Sequence, residues 1–215
     1  YIAVVYSLKK NCGDYRGRVL DISGLADGPK VTEEQLSFWE WISQYYMCSI
    51  GEVYKATYTA AGEVPATGTR ARKTGKEEER KFILSDAQQR AKDEIRDSFS
   101  ESKPALLAGI TGSGKTEIYM SIAKDEIASG GVVLYMVPEI ALSRQLEERL
   151  HKVFGERLVT FHSALTPAKR RDTSHRISGI KDGEGLVVLG LRSSILLPFK
   201  RLSLIIIDEE HDPSY

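Results

Sequence analysis

The chain has 215 residues, of which 41% are hydrophobic and 28% charged, a soluble globular balance long enough for one ample core or a core plus a smaller module. No apolar run approaches the roughly 20 residues that a membrane helix needs, so the sequence offers no spanning helix. Thirty basic residues offset thirty acidic ones, which speaks against a whole-surface electrostatic footprint for nucleic acid and leaves room for a local basic patch.

The chain opens on Tyr1 rather than Met, and "YIAVVYSL" lacks the basic lead and small-residue cleavage site of a signal peptide, so the sequence reads as a piece of something longer. Cys12 and Cys48 have no metal-ligand spacing and read as two reduced thiols. "YIAVVYSL" and "YRGRVLDI" flank the turn formers of "KKNCGD", which predicts a hairpin. "VTEEQLSFWEWISQYYM" predicts a helix entered through a Thr32–Gln35 capping box, with Leu36, Trp39, Ile42 and Tyr46 at helical spacing. Ser49 and Glu52 repeat the box and predict a short second helix. Phe38, Trp39, Trp41, Tyr45 and Tyr46 can stack on bases, but a stripe of this kind more often belongs to a core, and core is the expectation. Residues 61–83 have no periodicity and read as a linker, its Arg70, Arg72, Lys73 and Lys76 on a solvated tether.

From residue 84 onward, strand and helix patterns alternate. "PALLAGI" reads as a strand, "KTEIYMSIAKDEIASGG" as a helix ended by Gly130 and Gly131, and "VVLYMV" as a strand. "ALSRQLEERLHKVF" puts Leu142, Leu146, Leu150 and Val153 on one helical face, and "RLVTFH" returns as a strand. "TPAKRRDTSHRI" predicts a helix capped by Thr166 with Pro167 at its first position. "GLVVLG" and "LSLIIID" complete the set. Continuously apolar strands separated by helices imply an α/β fold, a parallel sheet with both faces covered.

The candidate chemistry sits at two points. Gly109, Gly114, Lys115 and Thr116 fit G-x-x-x-x-G-K-[ST], a loop running through Thr111, Gly112 and Ser113. Its glycines let successive backbone amides turn toward phosphate oxygens, Lys115 adds charge for the outer phosphates, and Thr116 offers a hydroxyl to Mg2+. A helix opening at Lys115 adds the positive end of its dipole. "IIIDEEH" then supplies the partner: Leu204 to Ile207 read as a buried strand with Asp208 at its carboxyl end, where open parallel sheets bind ligands. The economical assignment is Asp208 as Mg2+ ligand and Glu209 as the base that positions water. His162 and His211 have no companion ligand at metal spacing and are not read as a metal site.

These residues resemble the superfamily 2 helicases of the DEAD/DEAH type and, within them, the PriA (primosomal protein N′) family of replication-restart helicases. The resemblance is carried by "GITGSGKTEIY", "VPEIALSRQ", "FHSALTPAKR", "IIIDEEHDPSY", the upstream "LSDAQQRA" and "WISQYYMCSIGEVYKA". It implies a RecA-like ATPase lobe 1 at 84–215 and, at 1–60, the C-terminal part of a small, β-rich α+β domain that recognises the 3′ end of DNA. It implies ATP and Mg2+ as cofactors, with Gln88 at the adenine edge and His211 coupling hydrolysis to DNA engagement. Pro138, Ser163, Arg170, Arg192 and Ser193 would follow the DNA backbone, which holds register without reading sequence.

The implied activity is ATP-driven 3′-to-5′ translocation on single-stranded and forked DNA at stalled forks. Other primosome proteins and single-strand-binding protein would be partners, in a bacterial cytoplasm. The sequence departs from the family pattern at Leu191, where a Thr is usual, and at 61–83, which is too short for the family's winged-helix domain. A second helicase lobe, its arginine finger and the family's zinc-binding cysteines are expected beyond Tyr215, so the fragment alone is expected to be nearly inactive. Three other readings stay open. One is a small-molecule kinase sharing the same loop, another a non-catalytic DNA-end-binding module with a vestigial nucleotide site, and the third a different superfamily 2 DNA-dependent ATPase.

Overall fold

The structure is a computed structural model that describes residues 4–8, 10, 13–14, 16–18, 21–24, 31–57, 83–110, 112–139, 141–162 and 164–213. The expectations for Thr111, Ser163, Cys12 and linker residues 61–82 lie outside them. Among the described residues there are two compact units, each with its own packing.

The first unit holds α1 (Glu33–Tyr45), α2 (Ile50–Thr57) and α6 (Pro167–Ser178). α1 starts where the sequence places it: the Thr32 hydroxyl accepts from the Gln35 amide, and the Gln35 side chain accepts from the Thr32 amide at 3.0 Å. α2 is entered the same way, with Glu52 accepting from both the amide and the hydroxyl of Ser49 at 2.8 Å. The helical pair closes over Trp39 and Val53, 2% and 4% exposed, and the Trp39 ring meets Tyr54 at 6.1 Å. α6 is capped by Thr166, with Pro167 in its first turn.

Two expectations fail in this unit. Among the described residues of 4–24 none is in a strand, and Val5, Leu8 and Ile22 are exposed. The turn at Gly13–Asp14 forms, Gly13 with φ 59°, and the Tyr6 hydroxyl donates to Glu40 on α1, but much of the hairpin segment lies outside the described residues. Nor is the aromatic stripe all core. Only Trp39 is buried, whereas Trp41, Tyr45 and Tyr46 are more than half exposed and stack along the helix surface, Phe38 on Trp41 and Trp41 on Tyr45 at 5.1 Å. The helical period puts Trp39 on the inner face and its neighbour two positions on outside it.

The second unit is a four-stranded, wholly parallel sheet, β1 (Val132–Met136), β2 (Leu158–Phe161), β3 (Leu186–Gly190) and β4 (Leu202–Ile207), in the order β2-β3-β1-β4. Helices α3 (Asp86–Ser100), α4 (Lys115–Ala128) and α5 (Arg144–Phe154) connect and cover it. Val133, Tyr135, Val137, Val187, Leu189, Leu204 and Ile206 meet Ile118, Ile122, Ile127 and Leu150 in one apolar cluster. The central strands β1 and β3 are buried at every position, the continuous apolar reading of a covered parallel sheet. α3 is ribboned to α4 by Lys92, which reaches Asp125 at 2.6 Å and the Ser121 hydroxyl at 2.7 Å.

Three sequence readings are corrected here. The sequence reading takes "LSDAQQRA" as a glutamine motif alone, whereas Ser85-x-x-Gln88 is also a complete capping box that starts α3, and both of its bonds form. "PALLAGI" is not in a strand and, among the described residues, bonds to no neighbour of the sheet; its Leu106 and Leu107 line a cavity of about 390 Å3 together with Phe99, Ile205 and Ile207. β4 is therefore an edge strand, and it alternates instead of being buried throughout: Leu204 and Ile206 face the core, while Ile205 and Ile207 are 43% and 45% exposed.

Candidate functional site

The phosphate-loop residues stand at the start of α4. Gly112 and Gly114 have φ of 82° and 85°, a backbone region open to glycine, and a Cβ on Gly114 would fall 2.2 Å from the Gln88 amide nitrogen. α1, α3, α5 and α6 each take a side-chain cap, from Thr32, Ser85, Ser143 and Thr166. α4 takes none: its N-cap is Gly114 itself. The amides of Lys115 and Thr116 and the dipole end are left for an anion, while Glu117 donates its amide to the Gly114 carbonyl at 3.1 Å. The Lys115 ammonium curls back to donate to the carbonyls of Gly109 and Ile110, and Ser113 closes the loop by donating its amide to the Ile110 carbonyl at 3.1 Å. Thr116, half-buried, follows one residue on.

Gln88 arrives from α3. Its side-chain oxygen accepts from the Ser85 amide at 2.8 Å, and its nitrogen donates to the Gly114 carbonyl at 3.3 Å. The glutamine thus ties the start of α3 to the loop, and both ends of its amide are engaged.

The acids stand at the carboxyl end of β4. The Asp208 amide donates to the Met136 carbonyl at 3.0 Å, extending the β1–β4 ladder by one step and fixing where that side chain leaves the sheet. Burial, opposed by a hydrogen bond from Tyr135 and reinforced by the charge of Glu209, holds the Asp208 carboxyl above its ordinary pKa, while Lys115 pulls it down. Glu209 takes a positive φ of 53°, rare for a residue with a side chain and a mark of a constrained corner. His211 is exposed and lies 3.5 Å from the Glu209 carboxylate and 3.9 Å from that of Glu210.

Several residues around these acids have no place in the motif reading. Tyr135 on β1 donates its hydroxyl to Asp208 Oδ2 at 3.0 Å, and Tyr119 on α4 packs edge-on against the Tyr135 ring at 6.0 Å. Burial and the charge of Asp208 push both phenols up, Tyr119 to about 12. Arg149 of α5 pairs with Glu117 in the first turn of α4. The available signal was the lone hydroxyl-bearing ring in the otherwise aliphatic "VVLYM".

The half-buried Asp208 carboxyl, held up by desolvation and a neighbouring acid, is a group that a divalent cation would relieve, and the uncapped α4 start with Lys115 suits a polyphosphate. The residues present thus fit a nucleotide–Mg2+ pair. Among the described residues no cluster of three or more His, Cys, Asp or Glu could hold a metal by itself.

The remaining residues read from the sequence are placed as follows. Arg192 and Ser193 are exposed on a short 3-10 helix, Arg192–Leu196, after β3. Leu191 is 7% exposed and belongs to the apolar cluster, which accounts for a hydrocarbon at that position. Pro138 is buried, and its carbonyl accepts from the Ala141 and Leu142 amides. Arg170 and Arg171, in the other unit, are half-buried, whereas Lys169 is solvated. Among the described residues no helix is long and apolar enough to cross a membrane.

Comparison with known proteins adds two matched segments. The model of the DEAD/DEAH box helicase family matches residues 85–214, and that of a 3'DNA-binding domain (3'BD) matches residues 1–59. The chain is similar to the Replication restart protein PriA of Rickettsia conorii, 39% identical over 185 residues, 86% of this chain and 28% of that protein. It is similar along its whole length to the protein of that name from Treponema pallidum, 33% identical over 215 residues, 32% of that protein. The Synechocystis protein of the same name is 44% identical over 110 residues, 51% of this chain and 13% of that protein. The chain thus spans about a third or less of the length of these relatives.

Proposed function

The chain belongs to the DEAD/DEAH box helicases and is of the PriA type, and from that premise we propose that it carries the ATP-binding lobe of a DNA helicase acting in replication restart. One observation carries the reading: the helix that starts uncapped at Gly114 and the carboxylate just past the end of β4 are joined through two rings, Tyr119 of α4 meeting Tyr135 edge-on at 6.0 Å and the Tyr135 hydroxyl donating to Asp208 at 3.0 Å. In this reading the amides at the start of α4 and Lys115 bind the β- and γ-phosphates of ATP. Thr116 and Asp208 hold Mg2+, which when bound supplies charge neutralisation at the phosphates. Glu209 orients the attacking water, and His211, beside Glu209 and Glu210, links that corner to the DNA side of the lobe. Gly109, Thr111, Gly112, Ser113 and Gly114 shape the cradle, and Gln88 sets its position against α3.

Exposed Arg192 and Ser193, with Ser163 and Arg170, follow the phosphates of single-stranded or forked DNA. Residues 1–60 supply DNA-end recognition, in keeping with the 3'DNA-binding match. Translocation runs 3′ to 5′, in the cytoplasm, with primosome proteins and single-strand-binding protein as partners.

The test is calorimetric titration of Mg2+·ATP into the chain and into Lys115→Ala. Loss of binding with an unchanged melting temperature supports the reading; equal affinity in both overturns it. Anisotropy with forked DNA, with and without ATP, separates a motor from an end-binding module: ATP shifts DNA affinity in the first and leaves it unmoved in the second.

A further inference from the structure

The Tyr135 side chain is placed by three elements at once. It occupies the fourth position of β1, beside Leu189 on β3 and Ile206 on β4, and is 1% exposed. Its ring faces the apolar cluster and is met edge-on by Tyr119, which lies one turn beyond Lys115 and Thr116 on α4. A hydroxyl buried this deeply needs a polar partner, and it finds Asp208 Oδ2 at 3.0 Å. The bond is a charge-assisted one when Asp208 is ionised, and stronger than a bond between neutral groups. Asp208 lies one step past the end of β4, where its amide donates to the Met136 carbonyl at 3.0 Å and its carboxylate meets the Tyr135 hydroxyl.

We infer that Tyr135 is the positioning residue for Asp208: its hydroxyl fixes the rotation of the carboxylate at the end of β4 and presents it, already oriented, to the divalent cation of a bound nucleotide. The rigid ring transmits the geometry of the core to that carboxylate, and the Tyr119 contact registers it to the helix that carries Thr116. A ligating carboxylate without its outer hydrogen bond must be ordered at the moment of binding, so affinity for the cation falls. This rests on the proposed nucleotide–Mg2+ reading.

The experiment is Tyr135→Phe, which deletes one oxygen and keeps the ring, with Tyr135→Met as a second hydroxyl-free filler. Fluorescent ADP binding is titrated in chelator and then across Mg2+ concentrations, with melting temperature followed in parallel. The expected result is unchanged ADP binding in chelator and about a tenfold rise in the Mg2+ needed for half-maximal tightening, the same in both variants. A purely structural hydroxyl would lower the melting temperature and leave the Mg2+ midpoint in place, which overturns the inference. If the unsubstituted chain shows no Mg2+-dependent binding at all, the nucleotide–metal reading itself fails, a different outcome from an unshifted midpoint in variants of a chain that does respond to Mg2+.

Discussion

The sheet-bearing unit and the helical pair α1–α2 handle their apolar residues in opposite ways. In the sheet, β1 and β3 hide every side chain, and the exposed apolar residues gather at the β4 edge. In the helical pair, one large ring, Trp39, is hidden, while Trp41, Tyr45 and Tyr46 lie in a row on the outside. A stack of rings along a helix is therefore no sign of a core. Position relative to the one buried residue decides.

The largest expected effect sharpens that contrast within one helix. Trp39→Ala should cost about 3–5 kcal/mol in urea unfolding, and Trp41→Ala, two residues on, no more than about 0.5 kcal/mol. Comparable losses for the two would show that the exposed stack is structural after all. β4 provides the parallel case: Ile206→Ala should cost about 2–4 kcal/mol, and Ile205→Ala under about 1 kcal/mol, because only the first leaves a cavity in the core. Next comes Gly114→Ala, which forces a positive φ on a side chain and pushes on Gln88. About 1–2 kcal/mol is expected from the backbone alone, and a variant as stable as the parent would mean that the loop adjusts freely.

The smallest effect belongs to Glu52. Backbone and hydroxyl bonds from Ser49 hold its carboxyl below the usual pKa. A depressed folded pKa contributes stability at pH above the unfolded value, about 4.3, and that stability is lost as pH falls through the folded value. NMR titration should give a Glu52 midpoint below the ordinary one, and Glu52→Gln should abolish that acid-side loss in α2. A midpoint at or above about 4.3 contradicts the capping account.

Much of this was legible in the sequence wherever a local rule acts alone. Thr32–Gln35, Ser49–Glu52 and Thr166–Pro167 mark helix starts through bonds made within four residues, and each forms. The apolar runs of β1, β2 and β3 announce buried strands in the same way. What failed depends on a partner outside the run. "PALLAGI" has the composition of a strand, yet a strand exists only when a neighbour bonds to it, and the sheet of the described residues does not include it. β4 reads as fully buried until its place at the sheet edge is known. At the site, spacing identifies Lys115 and Asp208, but Tyr135 belongs to no motif and emerges only when β1 and β4 are set side by side.

The central claim is that the start of α4 and the end of β4 hold one ion between them, and a double-mutant cycle on Mg2+·ATP affinity tests it most directly. With Thr116→Val, Asp208→Asn and the pair, the account predicts strong non-additivity: the double variant binds little worse than the weaker single one, a coupling of about 1 kcal/mol or more. Losses that simply add would mean that Thr116 and Asp208 act on separate ligands, and would contradict it.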